Sequence, residues 1–272
     1  MIKFFQKIRY DLIAKNPPAG GSGNTGKPAF AAGKYLKYAI GEIMLVVIGI
    51  LLAVSIGTWN KQRNLVKSNE VYLLNLLEEL NSNINRLNFL AFSNSDGKLS
   101  LDSVVKNCLY ITPRFSKGLE ESDYEFLINN SVFLGSSQLN LNDATYEELL
   151  NTGKLYSLGS DSLTKAVKGY YKRYEREIYY NEMWKDEAFR GFELYEQAML
   201  RLYADHEFSP ETFKVSNYSW VFDKNSKKYM DLQLGISKLL ISQAQDLEKC
   251  ISLKEDTNKL IEIIKKELKA NY

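Results

Sequence analysis

Cysteine and histidine are scarce in this chain. Its 272 residues hold two cysteines, Cys108 and Cys250, and a single histidine, His206. The cysteines are far apart and not in a CxxC arrangement, which excludes a cysteine metal site. One histidine excludes a multi-histidine metal centre within one chain and leaves any Ser/His/Asp triad dependent on His206 alone. That residue lies in Tyr203-Ala204-Asp205-His206-Glu207 and reads as a surface histidine near a helix C-terminus. Charge excess is missing too. A formal net charge of +2 does not suit a nucleic-acid binder, which carries a strong basic surplus. Apolar and charged fractions are ordinary, so wholesale disorder is excluded.

What the chain does have is one long apolar run. From Ala39 to Ile56 the only polar residues are Glu42 and Ser55. A helix over Tyr38 to Trp59 is roughly 30 Å long, enough for a bilayer core. Tyr35, Tyr38 and Trp59 flank it as aromatic interface anchors. The region before it is too long for a cleaved signal peptide, although Ala53-Val54-Ser55 faintly resembles a cleavage site, so the run reads as an uncleaved single anchor. Lys3, Lys7, Arg9, Lys15, Lys27, Lys34 and Lys37 precede it, against one acid, Asp11; Lys61, Arg63 and Lys67 follow closely, and Glu70, Glu78 and Glu79 soon after. That asymmetry predicts a cytoplasmic N-terminus and, in a bacterial inner membrane, a periplasmic C-terminal domain.

Residues 1–15 have Phe5, Ile8 and Leu12 at helical spacing and read as a cytoplasmic amphipathic segment on the inner leaflet. Residues 16–37 are a flexible linker, rich in glycine and proline up to Gly33. Within it Gly21 and Gly26-Lys27 imitate a phosphate loop, but Pro28 stands where Ser or Thr is needed.

MIKFFQKIR, KYLKYAIGEIMLVVIGILLAVSI and the Trp59-Asn60 pair resemble the N-terminal signature of a bacterial membrane-protein family known as domain of unknown function 6090. Ala144 to Leu158 (ATYEELLNTGKLYSL), followed by a tyrosine-rich helix with Gly169-Tyr170-Tyr171, is similar to its second recurring feature. Two departures stand out: the linker from Pro17 to Ala32 is long, and Gly57-Thr58 replaces a usual pair of asparagines. The resemblance implies a single-span protein with a helical outer domain and supplies no activity.

Beyond Trp59 the periodicity is helical. Leu73, Leu77, Leu80, Ile84 and Leu87 form a heptad-like seam on a helix that continues from the membrane run to about Phe92. Helices are predicted over Ser100–Tyr110 and Ser122–Asn129, with a loop over Ser131–Leu141. A short helix starts with Thr145 and Glu148 at capping-box spacing and stops at Gly153. A long aromatic helix, or a pair broken at Gly191, covers Asp161–Tyr203. Ser209-Pro210-Glu211 reads as a helix start. Lys228–Leu268 has its apolar side marked by Leu232, Ile236, Leu240, Leu247, Ile251, Leu260, Ile264 and Leu268. The expected fold is all-α: one N-terminal transmembrane helix (38–59), then an elongated helical-bundle domain (60–272).

The face with Tyr170, Tyr171, Arg173, Tyr174, Arg176, Tyr179 and Tyr180 suits a sugar or a peptide. It equally suits a core stripe with amphipathic tyrosines at its margin, the reading adopted. The pairs Glu120-Glu121, Glu147-Glu148 and Glu175/Glu177 read as solvated faces. Cys108 and Cys250 are either a periplasmic disulfide or buried free thiols, the latter preferred.

On a helical wheel Gly49 and Ala53 fall about 20° to either side of Glu42, with Gly57 about 40° further on. Glu42, Gly49, Ala53 and Gly57 therefore form a packing stripe for a second copy or another membrane protein. No catalytic residue, metal or cofactor is assigned. The functional expectation is a non-enzymatic, single-pass inner-membrane protein acting as an interaction or assembly subunit. A periplasmic ligand-binding sensor is the alternative; a membrane-anchored enzyme is weaker.

Overall fold

The computed structural model describes residues 29–94, 99–130 and 138–271, with side chains from residue 39 to 270. The amphipathic segment 1–15 and the linker up to residue 28 lie outside the described residues, as do the side chains of Tyr35 and Tyr38; the remainder of the expected linker, 29–37, is instead the first part of the long N-terminal helix. Among the described residues the fold is all-α, with six α-helices and no strand: α1 (Ala29–Phe92), α2 (Leu101–Ile111), α3 (Glu121–Asn129), α4 (Ala144–Asn151), α5 (Asp161–Phe208) and α6 (Lys227–Asn271). Short 3-10 turns sit at Thr112–Ser116, Lys154–Ser157 and Val215–Asn217. The chain forms two compact units, one up to Arg63 and one from Asn64 onwards.

The first unit contains an apolar stretch of α1 that begins at Ala39 and has an 18-residue window with no residue buried. By length and composition α1 can cross a membrane. Trp59 is exposed, with the Arg63 guanidinium 5.7 Å from its ring centre.

The second unit has two apolar clusters. In one, Leu73, Leu76, Leu80 and Leu87 of α1 meet Leu149 of α4, Val167 and Tyr171 of α5, and Leu253 and Ile264 of α6. In the other, Val104 and Cys108 of α2 and Leu127 of α3 meet Tyr195 and Met199 of α5, and Leu232 and Leu239 of α6. Helices α5 and α6 therefore form the shared spine, and α1 and α2–α3 each cover a different half of it. The spine is tight because of two glycines. A Cβ on Gly191 would stand 2.9 Å from the Gly235 carbonyl oxygen, and one on Gly235 would stand 2.7 Å from the Gly191 carbonyl oxygen. Gly191 does not break α5, which is one uninterrupted helix; it lets the α6 backbone lie directly against it.

The α1 seam also differs from its apolar reading. Among the buried positions, Asn69, Leu73, Leu76, Leu80, Asn83, Leu87 and Leu90 keep a four-three alternation, with Tyr72, Glu79 and Ala91 buried beside it and Leu77 and Ile84 packed at its margin. Two of the seam positions are asparagines, so apolar counting shifts the register onto the neighbouring residues. Helix α6 departs in the same way: Ile251 faces solvent, and Gln243, Asp246, Cys250 and Thr257 are buried in the middle of the helix.

Two local expectations are corrected, and the cysteines are as preferred. Thr145 is inside α4, whose N-cap is Asp143 with no side-chain cap of its own; Glu79 of α1 accepts the Thr145 amide at 2.7 Å instead. Ser209 does not start a helix. Its amide still donates to Asp205 at 3.0 Å, so it caps the end of α5, and its carbonyl then closes a turn by accepting from Thr212 and Phe213. Cys108 and Cys250 are free, buried, and in different clusters, so no bridge joins them. Burial pushes both thiols up to about 12. Gly153, with φ +70°, does end the α4 region in the left-handed conformation expected.

Substituting Gly235→Ala forces a methyl into the α5 backbone. The variant should lose about 2–3 kcal/mol of stability in urea unfolding of the full chain, as overpacked sites do. Gly169→Ala, where a Cβ meets nothing within 4 Å, is the matched control and should lose none.

Candidate functional site

Two polar constructions stand out inside the second unit. The first holds α4 against α1 and α5. Glu79 is buried on α1 and accepts from the Tyr171 hydroxyl as well as from the Thr145 amide. Tyr171 stacks on Tyr146 with ring centres 4.1 Å apart and planes 6° from parallel. Burial, then the Glu79 carboxylate, drives the Tyr171 phenol well above its ordinary range, so it stays a neutral donor. Around this pair, Tyr72 donates to Glu148 at 2.5 Å and accepts from Lys154 at 2.8 Å. Asn83 exchanges two bonds with the backbone of Asn142 (2.7 and 2.8 Å), and Asn69 donates to the Ser157 carbonyl at 2.5 Å. The segment ATYEELLNTGKLYSL is thus a clip, read by α1 through its polar seam positions.

The tyrosine-rich face of α5 splits in two. Tyr170, Tyr171 and Tyr174 are core residues. The Tyr170 hydroxyl meets Thr257 at 2.9 Å, and the Tyr174 hydroxyl both donates to and accepts from the backbone of Leu141. Tyr179 and Tyr180 are exposed, and Arg173 is bound to Asp256 and Ser252 of α6.

The second construction lies on the spine, between the two apolar clusters. Here α5 supplies Asn181 and Glu177, and α6 supplies Gln243, Asp246 and Lys249. Asp246 is 2% exposed, and its carboxylate is 3.7 Å from the Lys249 ammonium, longer than a hydrogen bond. Both Asp246 oxygens, both polar atoms of Gln243, Lys249 Nζ and Arg173 Nε are buried without a hydrogen-bond partner among the described residues. Burial raises the Asp246 carboxyl to about 6, with Asn181 and Lys249 pulling it back, and burial lowers Lys249 against the pull of Asp246 and Glu177. A small cavity of about 10 Å³ touches Asn181, Asp246 and Lys249, enough for one bridging water. On the outer side of Lys249 an open groove of about 360 Å³ runs between α5 and α6, walled by Tyr180 and Trp184. The Lys249 ammonium is 5.6 Å and 6.0 Å from those two ring centres.

The residues expected to form a membrane-helix stripe are separate from both. Glu42, Gly49, Ala53 and Gly57 are exposed on α1, and a Cβ on Gly49 or Gly57 would meet nothing within 4 Å. His206 is half-buried with its ring edge-on to Phe213 at 5.2 Å. Among the described residues no group of three or more His, Cys, Asp or Glu side chains is placed to hold a metal. Sequence reading missed Gln243, Asp246 and Lys249. The signal was the gap between Leu240 and Leu247 of the apolar side, where the buried face passes through Gln243 and Asp246, with Lys249 three residues further on.

Glu79→Ala strands the Tyr171 hydroxyl and the Thr145 amide, and should cost about 2–4 kcal/mol in urea unfolding, since hydrogen bonds to a charged acceptor are among the stronger ones. Asp246 gives a pH signature. Its folded-state pKa is raised, so ionising it penalises the fold; that penalty is present above about pH 6 and is relieved as pH falls towards the unfolded value of 3.8. The groups facing the site are Lys249 and Cys250 on α6, Glu177 on α5 and, through Cys250, Arg86 on α1. Asp246→Asn removes the ionisation, so its stability relative to the native chain should rise by roughly 2 kcal/mol between acid and neutral pH. Parallel unfolding curves at pH 4.5 and 7.5 measure this.

No curated protein and no solved structure matches the chain. A protein-family model does, over residues 42–197. The matched stretch runs from the apolar part of α1, through the α4 clip, into the core-forming and groove-facing turns of α5, and it covers more than half of the 272 residues. On that match the chain belongs to a family of unknown function (DUF6090).

Proposed function

We propose that this protein is a single-pass inner-membrane protein that works by contact and not by catalysis, as an interaction or assembly subunit. The observation that carries this reading is the apolar window of α1, none of which is buried among the described residues. Apolar side chains left uncovered at this length are costly in water and comfortable in lipid. The basic residues before the span favour a cytoplasmic N-terminus, which puts residues 60–272 in the periplasm. Within lipid, Glu42, Gly49, Ala53 and Gly57 form the face on which a second copy or another membrane helix packs. Glycine and alanine admit close backbones, and a carboxylate there is shielded from lipid. The second unit supports a contact role because its conspicuous tyrosine and carboxylate groups are spent on holding α4 and α5 in place.

Two measurements test this. Protease added to spheroplasts should remove a C-terminal tag; a protected tag reverses the orientation. Single cysteines at Gly49, Ala53 or Gly57 should crosslink in native membranes at least several-fold better than cysteines at Val46 or Leu52. Equal crosslinking around the helix would remove the packing face.

A further inference from the structure

The groove on the spine has a defined frame. At one end the Lys238 ammonium bonds the Glu187 carboxylate across α5 and α6; at the other Arg173 bonds Asp256 and Ser252. Between these latches the two helices leave a space of about 360 Å³, inside the size range of small-molecule sites. Its lining combines Tyr180 and Trp184 with two cations, Arg173 and Lys249, and two carboxylates, Glu177 and Glu248.

That lining selects among ligand classes. The formal charges cancel, so neither a strong anion nor a strong cation is steered in. An anion would have to compete with Asp246 for Lys249, and a cation would have to share the Tyr180 and Trp184 faces with the ammonium already beside them. What the groove offers is unspent hydrogen bonding of both kinds. The exposed Gln245 amide both donates and accepts, and the exposed Glu248 carboxylate is an acceptor, while Arg173 Nε and Lys249 Nζ lie buried beneath them. A hydroxyl donates and accepts, so it can serve both. A ring that carries hydroxyls on its edge and C–H groups on its face also suits the aromatic walls.

We propose that the α5–α6 groove is a binding site for a neutral saccharide, with the sugar ring against Trp184 and Tyr180 and its hydroxyls on Gln245 and Glu248. Lys249 lines this groove and also touches the one-water cavity beside Asp246, so the site sits directly over the polar layer between the two apolar clusters. The site is additional to the contact role of the membrane helix, and neither depends on the other.

The test uses the full-length protein in a detergent without a sugar headgroup. Glucose, N-acetylglucosamine and their β-1,4-linked disaccharides are titrated by saturation-transfer NMR and tryptophan fluorescence, with sulfate and tetramethylammonium as charged probes. At least one saccharide should bind at millimolar concentration or below. Trp184→Ala should weaken it about tenfold, the equivalent of about 1.4 kcal/mol. Glu248→Gln, on an exposed residue that the fold does not need, should weaken it several-fold while leaving the helical circular dichroism unchanged. The site is overturned if none of the saccharides binds, if binding survives both variants, or if sulfate or tetramethylammonium occupies the groove in preference to every sugar.

Discussion

The close approach of α5 and α6 at Gly191 and Gly235 is the constraint on which the second unit depends. With a side chain at either position the two backbones would be held apart, because the first atom added meets carbonyl oxygen or amide nitrogen and not a movable side chain. Packing at that distance sets the register of two long helices against each other. From it follow the ion pair of Glu187 with Lys238, the contact of Arg173 with Asp256, and the alignment of Asn181 opposite Asp246. Both apolar clusters are built on this pair, one on each side of the polar layer.

That polar layer is expensive. A carboxylate and an ammonium taken out of water regain little at 3.7 Å, which is why burial pushes the acid up and the base down. An apolar pair of similar size would stabilise the spine more, so the layer is better explained by what it contacts. Its inner side opens on a cavity the size of one water, and its outer side on the groove. By contrast the polar groups around Glu79 are fully paired, and their effect is to lock α4 onto α1. The same class of residue thus closes one part of the core and leaves another receptive.

The two ways in which the sequence misled follow from one cause. Counting apolar residues on α1 chose Leu77 and Ile84 over Asn83, and counting them on α6 included Ile251 over Cys250 and Asp246. In each case the buried side contains polar residues that face segments far along the chain: Asn142 bonds Asn83, and Asn181 lies opposite Asp246. Periodicity counts hydrophobicity and is blind to a polar side chain that is buried because another segment packs over it. Thr145 and Glu148 failed as a capping box for the same reason, since Glu79 and Tyr72 took their places.

The sequence by itself determined the all-α class, the exposed apolar stretch of α1, the stop at Gly153 and the near extent of the helices beyond α1, because each rests on neighbours within a turn or two: unbroken apolar composition, helical spacing, a glycine free to adopt positive φ; the start of α1 at Ala29, inside the expected linker, was not among them. Only the tertiary structure decided that Gly191 is a crossing point and not a break, that the ATYEELL segment is a clip on α1, and that Asp246 and Lys249 face each other under a groove. Those are properties of pairs of helices, created when two backbones meet, and no spacing along one strand of sequence encodes the distance between them.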